Sequence, residues 1–197
     1  MKLQSIINEN KTWDNEQEAL TFISRECQPF IKESKLVPLY RGILGGKGLA
    51  FVKNIRTDRR PKGLSQWWET AQHHMEKAGI KATRKNSIFV SGDSQDLGMF
   101  GNVYRIFPIG RFNYAWHPEI NDFNWAKLTR KNAQENPLYW EFVMKGYKTT
   151  DLPKAAASRN EILISGGQYV CLKSSAEAWE GAGHIRDVDK LINRNLR

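Results

Sequence analysis

The chain has 197 residues, 40% hydrophobic and 26% charged, which excludes a disordered or fibrous protein and supplies one ordinary hydrophobic core. Thirty Lys and Arg against 21 Asp and Glu leave a formal +9, and an isoelectric point near 9.6 favours a polyanionic partner such as nucleic acid or nucleotide phosphate. The apolar runs fall far short of the ~20 residues of a membrane span, the opening MKLQSIINENKTWDNE lacks a signal-peptide core, and Cys27 and Cys171, far apart, read as buried thiols in a reducing compartment.

A single domain over 1–197 is expected. Apolar positions Ala19, Leu20, Ile23, Cys27, Phe30 and Ile31 predict one amphipathic helix over about 14–33, with Asp14 or Asn15 as its N-cap. Residues 36–41 (LVPLYR) predict a strand beginning at or just after Pro38, and 42–48 (GILGGKG) a flexible turn. Residues 53–62 (KNIRTDRRPK) carry five basic side chains against one acid and read as a loop. Leu64, Trp67, Trp68, Ala71, Met75 and Ala78 then set out a second helix, closed by Gly79, with its tryptophans in the core.

The middle of the chain reads as sheet: 87–91 (SIFVS), 102–108 (NVYRIFP) and 111–116 (RFNYAW), the last two joined by Ile109-Gly110. One or two helices are expected within 121–147. Residues 160–164 and 168–172 flank Ser165-Gly166-Gly167 and predict a hairpin with glycines at positive φ. The strand core thus spans about 36–172, followed by a basic helical tail over about 184–197. Helices early and strands late make an α+β domain.

Several motifs fail. GILGGKG has Arg41 where a phosphate loop needs its first glycine and Gly48 where it needs Ser or Thr. No G-x-G-x-x-G follows a strand, no G-x-S-x-G is present, and the adjacent His73 and His74 cannot share a metal from one helix face. No metal site is expected.

Three segments on predicted strands remain: 38–42 (PLYRG), 88–91 (IFVS) with Phe100-Gly101 after it, and 159–164 (RNEILI). In order and spacing they resemble the arginine-serine-glutamate class of mono-ADP-ribosyltransferases, and in particular its small phage-encoded members. These have an LWRG-like first strand, a serine strand followed by a short helix, and a last motif of the form E-V-M-I-P-A-G, here residues 161–167 (EILISGG). The resemblance implies an α+β fold with an ADP-ribosyltransferase-like split β-sheet core and flanking helices. It also implies that NAD binds in a cleft between the sheets and that ADP-ribose passes to a host macromolecule with release of nicotinamide. The implied setting is a phage protein in the bacterial cytoplasm, with RNA polymerase, a ribosome-associated protein or nucleic acid as acceptor.

By resemblance, Glu161 is the catalytic carboxylate, stabilising the positive charge that develops on ribose and holding its 2′-OH. Arg41 forks onto a phosphate or the nicotinamide ribose, Ser91 bonds to the glutamate or the ribose, and Gly42 offers backbone groups to the nicotinamide amide. From the residues themselves, Phe100 and Tyr104 are candidates for the nicotinamide pocket or for the core, and the Arg56–Lys62 run for the adenylate phosphate, a nucleic acid target or a solvated loop. Arg159 stands where family members contact the acceptor with Glu or Gln, and Gly92 stands where they often have a second hydroxyl. Taken singly, a strand-end ion pair, a turn serine and a solvated edge carboxylate also account for Arg41, Ser91 and Glu161. The alternatives are a non-catalytic basic nucleic-acid-binding phage protein on the same fold, resting on the 53–62 run and the tail, and an interaction protein that binds neither ligand.

Overall fold

The computed structural model describes residues 11–46, 48–60, 65–120 and 137–174; the predicted tail and residues 121–136 lie outside them. The chain runs β1 (Thr12–Trp13), α1 (Glu16–Glu26), α2 (Gln28–Ser34), β2 (Tyr40–Ile43), β3 (Ala50–Asn54), α3 (Ser65–Lys77) and β4 (Ser87–Val90). A 3-10 helix (Gln95–Phe100) follows, then β5 (Asn102–Pro108), β6 (Phe112–Trp116), α4 (Pro137–Gly146), α5 (Leu152–Ala157), β7 (Ile162–Gly166) and β8 (Gln168–Lys173). The strands form two antiparallel sheets, one of five strands in the order β1-β3-β8-β5-β2 and one of three in the order β4-β7-β6. The domain is mixed α and β, as expected.

The predicted first helix is two helices. Asn15 caps α1, its Oδ1 accepting from the N–H of Gln17 at 2.8 Å and of Glu18 at 3.3 Å. Pro29, in the first turn of α2, has no N–H to continue α1, and its ring would press on the carbonyl four residues back. The break falls at Cys27, whose buried thiol sits 3.6 Å from the Phe107 carbonyl. Both cysteines are free and buried.

The glycine-rich segment 165–167 is not a hairpin. β7 has β4 on one edge and β6 on the other, and β8 lies between β3 and β5, so neither strand has an edge left for the other. The chain instead crosses from one sheet to the other at Gly167, and neither Gly166 nor Gly167 takes a positive φ. The same crossing occurs between β5 and β6 at Ile109-Gly110, where Gly110 does adopt φ 65°. Its N–H is held by the Glu26 carbonyl and that of Ile109 by the Gln168 carbonyl, both at 2.9 Å.

Two strands escaped the sequence reading. β3 pairs with both β1 and β8, and its Ala50, Phe51 and Val52 are buried in succession. A strand covered on both faces shows no alternation to read. β1 is too short to carry a pattern.

The main core fills the space among the two sheets, α1, α2 and α5, and a second cluster packs α3 and α4 onto the outer face of the small sheet. Period two on β7 sends Ile162 and Ile164 into the first and Leu163 into the second. Among the described residues the sheets meet at one β-bridge, where Tyr40 N–H donates to the Ser91 carbonyl at 2.7 Å and Ser91 N–H donates to the Tyr40 carbonyl at 3.0 Å.

Candidate functional site

This bridge gathers the predicted residues. In the β2–β5 ladder Ile106 N–H donates to the Leu39 carbonyl, so by antiparallel alternation Arg41 and Ile43 also turn their backbone groups to β5, while Tyr40 and Gly42 turn theirs to the other edge. Tyr40 spends its pair on Ser91. The N–H and C=O of Gly42 open beside it.

Gly42 also lacks room for a side chain, since an added Cβ would fall 2.8 Å from the Phe100 Cβ and closer still to the Leu97 carbonyl. The 3-10 helix therefore lies directly on β2. Phe100, at its end, remains 58% exposed. Tyr104 is fully buried with its ring edge-on to Phe51 and belongs to the core.

Arg41 spans the two sheets: its Nη1 donates to the Phe89 carbonyl of β4 at 2.9 Å. The β4–β7 register, carried one step past Val90–Ile162, places Ser91 opposite Glu161. Their side chains do not bond to each other. Ser91 Oγ donates to the Arg159 carbonyl at 3.2 Å and accepts from Asp93 N–H at 3.1 Å. The hydroxyl thus fixes backbone on either side of the site, where the expectation had it on the carboxylate or the ribose.

The turn before Glu161 is held firmly. Arg159 adopts φ 62°, a left-handed conformation unfavourable to a side chain. Buried Asn160 donates its Nδ2 to the carbonyls of His117 and Pro118, both at 2.9 Å, and its N–H bonds to Ser158 Oγ at 3.2 Å. The Arg159 side chain extends into solvent, 73% exposed and 3.5 Å from Asp93. At Gly92 an added Cβ would meet the backbone of Ala156, so the second hydroxyl of the family pattern has no space here.

Two residues complete the site: Arg84, which the sequence reading did not single out, and Arg59, which enters it only as one member of the basic 53–62 run. Arg84 Nη1 lies 2.7 Å from Glu161 Oε1, the side chains only 12% and 18% exposed. Arg59 stacks on the Phe89 ring with its Cζ 3.9 Å from the centroid, and Arg84 approaches the same ring at 4.6 Å. Burial first, then the like charges of Arg41 and Arg84, bring the Arg59 guanidinium down to about 10, with Glu161 opposing the shift and Arg56 adding to it. Burial also raises Tyr147, with Glu161 adding and Arg84 opposing. Among the described residues Arg41, Arg59 and Arg84 thus act on one another with one carboxylate, Glu161, in their midst, an excess of two positive charges. Basic side chains on three separate segments leave no local motif, so only the fold reveals the cluster.

A separate open cleft of about 500 Å³ lies between the 3-10 helix and the ends of β5 and β8, lined by Ser94, Gln95, Asn102 and Lys173. It shares no residue with the Arg41–Glu161 cluster, where the charged chemistry resides. No described helix is long and apolar enough to cross a membrane. No family model, characterised protein or solved structure matches the chain.

Proposed function

We propose that the chain is an NAD-dependent mono-ADP-ribosyltransferase of the arginine-serine-glutamate class, built on an ADP-ribosyltransferase-like split sheet, that modifies a host macromolecule. The observation that carries this reading is the joint between the sheets, where Arg41 and the open edge of Gly42 come from one sheet, Ser91 and Glu161 from the other, with a net positive cluster around Phe89. A dinucleotide presents complementary chemistry, a carboxamide for a strand edge and a doubly charged diphosphate for guanidiniums. NAD enters as a substrate.

In this reading Gly42 N–H and C=O pair with the carboxamide of nicotinamide beside the exposed Phe100 ring, and Arg41 faces the phosphate or the adjoining ribose. The C1′–N bond breaks, its electron pair leaves with neutral nicotinamide, and positive charge spreads over C1′ and the ring oxygen. Glu161, aimed by Arg84, stabilises that charge. An acceptor nucleophile then bonds to C1′ and gives up its proton. Ser91 and Asn160 hold the turn that sets Glu161, and exposed Arg159 faces the acceptor, where a guanidinium suits a phosphate or carboxylate surface.

Incubation with labelled NAD and bacterial lysate should transfer label, and Glu161→Gln should reduce transfer by about 100-fold or more while NAD binding measured by calorimetry persists. Transfer unchanged by Glu161→Gln, or no NAD binding, overturns the proposal. Salt-dependent retention of DNA or RNA with no NAD binding would instead establish the nucleic-acid-binding alternative.

A further inference from the structure

The basic run 53–62 divides when folded. Lys53 lies on the exposed end of β3, Arg56 is 72% exposed and lies 3.5 Å from Asp58, Arg60 is exposed, and Lys62 lies outside the described residues. Within this run Arg59 alone of the described basic residues turns inward, onto Phe89. Its loop is pinned on both sides, Ile55 N–H donating to the Gly167 carbonyl at 2.9 Å and Arg59 N–H to the Lys85 carbonyl at 3.0 Å.

The three guanidiniums around Phe89 are not equivalent. Arg41 donates to a carbonyl and Arg84 pairs with Glu161. Arg59, half-buried among like charges, has no carboxylate partner among the described residues and only the face of Phe89 beneath it. Glu161, paired with Arg84, balances only one of the three charges, and burying a guanidinium beside others is unfavourable unless a further anion completes the group. A guanidinium over an aromatic face is held by its charge and does not spend its N–H donors on the ring, which leaves them for a forked contact with phosphate oxygens.

We propose that Arg59 is a specificity-determining residue that grips the diphosphate of a dinucleotide ligand. The positive excess of the cluster matches a dianion, which favours a diphosphate over a carboxylate, and donors on three separate segments suit an anion with oxygens on two phosphorus centres. The anion site follows from the cluster alone, whereas its identification with the diphosphate of NAD rests on the transferase reading. Arg84 keeps Glu161 and Arg59 keeps the ligand, so the two arginines on one aromatic ring affect different steps.

Calorimetry on the full chain with inorganic pyrophosphate, inorganic phosphate and NAD tests this. Pyrophosphate should bind more tightly than phosphate. Arg59→Gln should weaken both pyrophosphate and NAD by about 10- to 100-fold, and Arg56→Gln should change either by less than about 2-fold. Arg59→Lys, which keeps the charge and loses the fork, should fall between. Removing a crowded cation relieves repulsion, so Arg59→Gln should melt at or above the wild-type temperature in ligand-free buffer. Affinities unchanged in Arg59→Gln, losses no larger than those of Arg56→Gln, or no pyrophosphate binding by the wild type would overturn the assignment. Pyrophosphate binding through Arg59 without binding or cleavage of NAD would sustain the anion site and refute the transferase. NAD-dependent transfer indifferent to Arg59→Gln would do the reverse.

Discussion

The ion pair between Arg84 and Glu161 can be tested as a double-mutant cycle of Arg84→Met and Glu161→Gln. With N and O 2.7 Å apart and the side chains 12% and 18% exposed, charge centres ~4 Å apart attract by roughly 4 kcal/mol at an effective dielectric of ~20. Desolvation offsets much of that, so the pair itself adds little net stability. Removing one partner is different, because the other charge stays largely buried. Such a change costs about 3–5 kcal/mol in full burial, and residual solvent contact here brings the expectation for Arg84→Met to about 2–3 kcal/mol. For a chain of this length that lowers the melting temperature by about 5–10 °C. Glu161→Gln leaves Arg84 facing an amide and should cost less. The double variant should recover about 1–2 kcal/mol of the summed losses. Thermal unfolding followed by circular dichroism gives the cycle, and, on the proposed transferase reading, steady-state NAD cleavage gives the functional counterpart. Because Arg84 acts through Glu161, Arg84→Met should lower kcat by about 10- to 100-fold with KM little changed. Additive stability losses, or a purely KM effect, would refute the view that Arg84 aims the carboxylate.

Gly92→Ser would place a Cβ 2.7 Å from Ala156 Cα, so restoring a second hydroxyl to the family pattern should destabilise the fold by about 1–3 kcal/mol and lower transfer; a fully stable, more active variant would contradict this packing. Stability should also fall on acidification: His117 is held below its ordinary value by burial, with Lys148 acting in the same direction and Glu119 and the Val143 backbone opposing. The unfolded chain takes up the proton first, so this stability is present above about pH 6.5 and is lost as the pH falls toward the lowered native value. His117→Asn, which retains an acceptor for the Glu119 N–H, should flatten part of that slope in melts between pH 7 and 5, leaving the part due to His74, whose value burial also lowers.

What was legible in the sequence was local. The capping Asn15, the apolar period of α3 and the strands around Ile88, Ile106 and Tyr114 follow from patterns a few residues long. The break at Cys27 was legible in Pro29 but was outweighed by an apolar spacing that continues through both helices. The crossing at Gly167 was not legible, because two strands separated by glycines look alike whether they pair with each other or enter different sheets; only the competition of β4, β6, β3 and β5 for their edges decides. The site divides in the same way. Arg41, Ser91 and Glu161 stand out by order along the chain, but Arg84 reaches Glu161 across 77 positions of sequence, and Asn160 is recognisable as a clamp only once the His117 and Pro118 carbonyls are beside it.

The split of the sheet explains why charge collects where it does. Inside either sheet a strand has neighbours on both edges, and its backbone groups are consumed in the ladder. At the joint the ladder is interrupted after the Tyr40–Ser91 bridge, so Gly42 keeps an open edge while the chain entering β7 presents Glu161 one residue before pairing begins. Loops that approach such a joint end on exposed carbonyls, as Arg59 does at Lys85 and Ile55 at Gly167, and the side chains of Arg59 and Arg84 converge on Phe89. Most of the described positive residues among those that first favoured a polyanionic partner are exposed on the surface. The specific part of the charge is the small set around Phe89, where one guanidinium meets a carbonyl, one a carboxylate and one, among the described residues, an aromatic face. That arrangement favours a small dianion with a defined position over a diffuse electrostatic surface, and so favours a nucleotide diphosphate over nucleic acid as the ligand of this joint.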